Sequence, residues 1–244
     1  MYKKSTLMII VASLFLIMFS QMSFAYTLTT VGGYGPYQSE QGGEFTLSPG
    51  DGLSWVLNYY DAKATGGSNY PGTFESFCLE HGEYIYPDTT HSATLNSGAV
   101  LGGAGGSVGG IDPLSKGSAW LYYQFAKGTL ANYNYDGTNA ERKSSAAALQ
   151  DAIWWLEEES ADPGAGNVFR EAILAAFGNA ANAMADNGGL YPVMVANLWE
   201  NGYAGVSGHE RQDVLIVTPI PSAIWLLGWG LIGLVGVRRR RMQA

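Results

Sequence analysis

The sequence predicts an α+β protein, an antiparallel β-sandwich or barrel with an inserted helical section. Three observations predict it. From residue 26 to about 94, glycine and proline cut the chain into short runs rich in aromatic and β-branched residues, the signature of strands and turns. From 118 to 185 the text is rich in alanine, with apolar residues three and four apart, which is helical spacing. After 193, β-branched runs return.

In chain order, Tyr26 to Val31 reads as a strand, punctuated by Gly32, Gly33 and Pro36. Gly43 to Leu47 is a second. Leu53 to Tyr59 is a third, because Leu53, Trp55, Leu57 and Tyr59 alternate with period two. Thr73 to Leu79 is a fourth, and Glu83 to Tyr86 and Thr89 to Thr94 continue the extended pattern. Leu101 to Gly110 is a glycine-rich loop; it lacks the Lys-Ser/Thr of a phosphate-binding loop. Ser118 to Ala126 is a helix ended by Gly128, and Tyr133 to Asn139 is a turn. Ser144 or Ser145 caps a helix from Ala146 to Glu158, with Leu149, Ile153 and Leu156 on one face and Pro163-Gly164 after it. Val168 to Ala185 reads as one long helix stopped by Asn187-Gly188-Gly189. Val193 to Trp199 and Asp213 to Val217 close the fold as strands.

Composition narrows the function. With 13 basic and 21 acidic residues the chain carries −8, which excludes nucleic acid as a partner held by phosphate attraction. Seven Trp, 15 Tyr and 9 Phe are too many for a disordered chain. A single cysteine excludes an internal disulfide and any zinc site built on paired cysteines. His81, His91 and His209, even with Glu80 or Asp88, show no metal-ligand spacing, so neither a metal nor a cofactor is expected.

The two ends read as addresses. Residues 1–25 have the form of a signal peptide: Lys3 and Lys4, an apolar run from Leu7 to Phe19, then Ser23-Phe24-Ala25 for signal peptidase. Residues 218–244 begin with Thr218-Pro219-Ile220-Pro221-Ser222. An uncharged apolar stretch, 223–237, follows as a transmembrane helix. Arg238, Arg239, Arg240 and Arg241 then hold the C-terminus in the cytoplasm by the positive-inside rule. All 21 acids but only seven of the basic residues lie between the ends, so residues 26–217 carry about −14.

The order of Pro219-x-Pro221, apolar helix and arginine cluster resembles the PEP-CTERM sorting signal, with Ile220 where that family commonly has Glu. The resemblance implies processing by an exosortase. It also implies an inner-membrane intermediate and delivery to the cell surface or extracellular matrix of a Gram-negative bacterium.

Two internal texts carry the chemistry. Phe77-Cys78-Leu79-Glu80 and Leu149-Gln150-Asp151-Ala152-Ile153-Trp154 resemble, in the expected order, the paired signature motifs of bacterial surface thioester domains. That resemblance implies an internal thioester between Cys78 and Gln150, opened once by an amine or hydroxyl on a surface or matrix target, a polysaccharide or a protein. Such a bond acts once and does not turn over, so no enzyme is expected. It persists only where water is kept out, and Phe77, Trp120, Tyr122 and Trp154 are the expected pocket walls. Gln150 and Trp154, four apart on a helix, share a face. The alternative is a non-reactive structural or biofilm-matrix protein whose lone cysteine is a small buried hydrophobe.

Overall fold

A computed structural model describes residues 26–39, 42–50, 52–100 and 110–219. The expected signal peptide and most of the tail, including Pro221 and Arg238 to Arg241, lie outside the described residues, as does the glycine-rich loop apart from Gly110.

The fold is α+β, as the sequence predicts. Six strands form one antiparallel sheet: β1 (Tyr26–Thr30), β2 (Phe45–Pro49), β3 (Phe74–Ser76), β4 (Thr90–Asn96), β7 (Val193–Glu200) and β8 (Glu210–Val217). Their spatial order is β3-β2-β1-β4-β7-β8. A separate hairpin pairs β5 (Gly98–Val100) with β6 (Ile111–Pro113). The six-stranded sheet curls until its two ends meet. Past β3 the chain stays extended and bonds to β8: Leu79 N–H donates to the Asp213 carbonyl at 2.9 Å and Leu215 N–H to the Phe77 carbonyl at 3.2 Å. Cys78 faces Val214 across this seam.

All four described α-helices lie between β6 and β7, which is the inserted helical section: α1 (Lys116–Ala126), α2 (Asn139–Leu156), α3 (Val168–Phe177) and α4 (Ala180–Met184). Period-two alternation divides the apolar residues into two clusters. Inside the curl, Leu28, Phe45, Leu47, Phe74, Ala93, Leu198, Val214 and Ile216 pack together. The outer faces of β7 and β8, through Val193, Val195, Leu215 and Val217, pack with the helices around Leu121, Phe125, Leu149 and Ile153.

Several elements differ from expectation. Leu53 to Tyr59 is not a strand: Ser54–Tyr59 is a 3-10 helix, and Leu53 and Val56, three apart, are the residues it buries completely. A 3-10 turn repeats every three residues, and of the period-two set Trp55, Leu57 and Tyr59 are only half-buried. Glu83 to Tyr86 joins no ladder. α2 starts seven residues before Ala146. Thr138, not Ser144 or Ser145, caps it in a reciprocal capping box with Glu141. The predicted 168–185 helix is two helices. Gly178, at φ +80°, ends α3, and the Asn179 side chain caps α4. β5 and β6 were not predicted, because three residues are too few to show a period.

A buried ion pair fixes α2 to the start of β2. The Arg142 guanidinium grips the Glu44 carboxylate through Nε at 2.7 Å and Nη2 at 2.6 Å, and the Tyr133 hydroxyl donates to the same carboxylate at 2.6 Å. Arg142 also lies 3.8 Å over the Tyr37 ring.

Candidate functional site

The β2–β3 register pairs Phe45 with Ser76 and runs antiparallel, so Gly43 would face Cys78 two residues further on. The side-chain amide of Gln150, reaching in from α2, stands at that position. Its Oε1 accepts from Gly43 N–H at 2.9 Å and from Cys78 N–H at 3.0 Å, and its Nε2 donates to the Cys78 carbonyl at 2.9 Å. One carboxamide thus satisfies both backbone polar groups of Cys78, as a strand would. Gln150 is 1% exposed and Cys78 is 3%.

The glycines are a requirement of this fit. A Cβ on Gly42 would overlap Gln150 Cγ and come within 2.8 Å of its Cδ and Oε1; one on Gly43 would overlap the Ser76 carbonyl oxygen. The Arg142–Glu44 pair is one residue from Gly43 on the same helix-to-strand contact.

Two N–H donors converging on one carbonyl oxygen polarise it and would stabilise negative charge there during acyl attack. Burial pushes the Cys78 thiol well above its ordinary range. The Glu83 carboxylate adds to this, and the N–H groups of Cys78 and Gly43 partly offset it. Both N–H groups are bonded to the Gln150 carbonyl oxygen. The thiol rests neutral, and attack requires a proton acceptor.

The chain matches no family model, no curated protein and no solved structure. The geometry alone therefore bears on what this site does.

Cys78 and Gln150 look into different clefts. Cys78 lines a cleft of about 420 Å³ with Tyr34, His81, Glu83 and Gln212; Gln150 lines one of about 620 Å³ with Ser39, Lys143, Asp151 and Trp154. Gln38 borders both. Trp154 joins Cys78 in the inner cluster and meets the His81 ring edge-on at 4.6 Å. Its Nε1 is buried without a hydrogen-bond partner.

The other expected walls stand elsewhere. Phe77 is next to Cys78 in an extended segment, so its ring points to the opposite side, into the outer cluster. Tyr122 is in that cluster too, 6.4 Å from the Phe77 ring, and its hydroxyl donates to the Glu75 carbonyl at 3.0 Å. Trp120 is half-buried and packs edge-on against Phe177. These three support the seam from behind and line neither of the two clefts. Pro219 of the expected sorting motif is exposed, two residues past β8.

One cluster was not legible in the sequence. Glu80, Glu83 and Asp213 bring carboxylate oxygens within 4.8 Å of one another, the group with cation-ligand geometry among the described residues. Seam closure gathers them from positions more than 120 apart. Glu83 is pushed up to about 10, first by burial and then by its carboxylate neighbours. Asp213 already accepts from Val100 N–H at 2.8 Å, Asn197 Nδ2 at 2.6 Å and Leu198 N–H at 3.2 Å, so it serves as an anchor tying the β7 bulge to β5. The histidines have other surroundings: His209 stacks on Tyr203 at 4.0 Å, and His91 is buried with both ring nitrogens unpartnered.

Proposed function

We propose that this is an exported surface or matrix adhesion protein that attaches covalently to its target through an internal Cys78–Gln150 thioester. The sulfur attacks Gln150 Cδ, a C–S bond forms and ammonia leaves. An incoming amine or hydroxyl then takes the acyl group, and the Cys78 thiol is restored. Each chain reacts once, so the protein is an adhesive and not an enzyme. Signal peptidase and an exosortase would process its ends, with an inner-membrane intermediate and a final place at the cell surface or in the extracellular matrix.

The observation that carries this reading is the Gln150 amide held by the N–H groups of Gly43 and Cys78 directly against the Cys78 backbone. A glutamine serving only as a polar helix residue would face solvent. This one is inserted into a strand pairing, its carbonyl polarised, against the backbone of the chain's one cysteine.

The test is the intact mass of the purified protein before and after methylamine. A mass short by one ammonia, replaced by methylamine on treatment, is the expected result. Cys78→Ala should abolish capture while the fold persists. The burial and neutral state of the thiol favour a second reading, a non-reactive structural or biofilm-matrix component. A full-length mass, with one thiol titrating on unfolding, would establish that reading instead.

A further inference from the structure

We propose that the target reaches Gln150 through the cleft along α2 and not through the Cys78 cleft, and that this route selects an unbranched primary nucleophile, amine or alcohol, carried on a slender arm. This rests on the thioester reading and adds the path and the steric class of the attacking group.

The two reacting groups open to different sides of the seam. Gln150 borders the α2 cleft and Cys78 borders the other; His81, Glu83 and Gln212, which line the second, do not line the first. An attacking group must touch Gln150 Cδ, so it must come from the side that Gln150 borders. Gly42 places the acyl carbon on that side. Gly42 lines the same cleft, and a Cβ on it would lie 2.8 Å from Gln150 Cδ. The helix supplies the facing wall. Helical side chains lean toward the N-terminus, so the Gln150 side chain lies over the turn that holds Ala146 and Ala147. Ala146 is fully buried, whereas Ala147 is half-buried and lines the cleft.

The width of this approach sets the selection. The cleft encloses about 620 Å³, yet Gln150 is 1% exposed. Space is ample along the helix and narrow at the amide. The flanking residues there carry no side chain at Gly42 and a single methyl at Ala147. A primary amine or alcohol brings one CH₂ behind its attacking atom. Branching at that carbon adds a methyl where packed walls must shift to admit it. In the balanced step, the lone pair of the attacking nitrogen or oxygen forms a bond to Gln150 Cδ. The Cδ–S bond breaks, and its electron pair stays on sulfur. The proton shed by the attacking atom passes to that sulfur, whose burial favours the neutral thiol. The products are an amide or ester and a thiol, and no further reactant is needed.

The experiment treats the full chain, solubilised in detergent, with n-propylamine or isopropylamine and follows the adducts by intact mass. The two amines are alike in basicity and differ in branching. A free alkyl thioester treated alongside gives their intrinsic preference. The wild type should prefer n-propylamine about tenfold more strongly than the free thioester does, the discrimination one misplaced carbon gives in a fitted site. Ala147→Leu, still a good helix former, should lose ammonia as the wild type does and capture n-propylamine about tenfold more slowly. Tyr84→Ala, an exposed position on the Cys78 cleft, should capture at the wild-type rate. Should Ala147→Leu keep its full mass, Ser144→Trp, exposed on the α2 cleft, carries the same expectation. The preference of the free thioester, a wild-type rate in the α2 variant, or a comparable slowing by Tyr84→Ala each overturns the route and leaves the thioester standing. A wild type of full mass that takes up neither amine overturns both.

Discussion

Gly42→Ala probes the geometry of the site without replacing either residue of the proposed thioester. The added methyl would overlap Gln150 Cγ and lie within 2.8 Å of Cδ and Oε1, so the amide must retreat from the seam. Retreat lengthens the bonds from Gly43 N–H and Cys78 N–H, now 2.9 and 3.0 Å. Two buried hydrogen bonds weakened, with some overpacking, cost about 1–3 kcal/mol of stability. The effect on chemistry is larger: loss of one donor to a developing oxyanion slows acyl transfer by about 10²–10³-fold, and here two are displaced. The fraction of protein lacking one ammonia should fall to a few per cent or less when measured soon after synthesis, while urea denaturation shows a still cooperative fold. Wild-type thioester content in Gly42→Ala would refute the claim that these two N–H groups activate the Gln150 carbonyl.

Removing Arg142 by Arg142→Leu leaves the Glu44 carboxylate buried and unpaired, and stability measured by urea denaturation should fall by about 3–5 kcal/mol. The fully buried Glu75 is raised from its ordinary value near 4.5 to about 8, by burial first and then by the Glu44 charge. The folded state thus holds a proton that the unfolded chain releases. For this group the stability should be fully present below about pH 4.5, decline as the pH rises to about 8, and level off above. Glu75→Gln should flatten that decline in a pH series of denaturation midpoints. Thr138→Ala breaks the capping box of α2 and should cost about 1 kcal/mol, detected by thermal unfolding.

Much of the fold was legible because long strands and helices leave periodic traces. β7 and β8 are rich in apolar residues, through Val193, Val195 and Leu198 and through Val214 to Val217, and α2 shows its apolar stripe through Leu149, Ile153 and Leu156, all buried. The errors came from short or punctuated segments. The 3-10 helix at Ser54–Tyr59 imitates alternation over a few residues, and Gly178-Asn179 was hidden in alanine-rich text on either side. The Thr138–Glu141 capping box was readable and marks the true start of α2. At the site, the motifs named Cys78 and Gln150, which the fold brings together. They could not show that Gly43 supplies a donor, because a backbone N–H has no residue signature. The walls were chosen for aromaticity and not by side of strand: Phe77 and Tyr122 fall on the face opposite Cys78. The Glu80–Glu83–Asp213 cluster depends on β8 returning beside the segment after β3, which no local pattern announces.

The seam between β8 and the segment after β3 has a mechanical consequence under the proposed capture. Tension would enter at Gln150 on α2 and leave along β8 toward Pro219. β8 has antiparallel neighbours on both sides, β7 and Phe77–Leu79, so a pull along its axis loads its hydrogen bonds together, in shear, and does not peel them one by one. The chemistry proposed to fasten the target would also remove the covalent link between α2 and the seam, since Cys78 would be released as Gln150 is engaged. A loaded molecule would then have a stiff barrel in series with a helix held by packing, by the Arg142–Glu44 grip and by hydrogen bonds such as those to the Gln150 carbonyl. Under force, that helix would give way before the barrel opened.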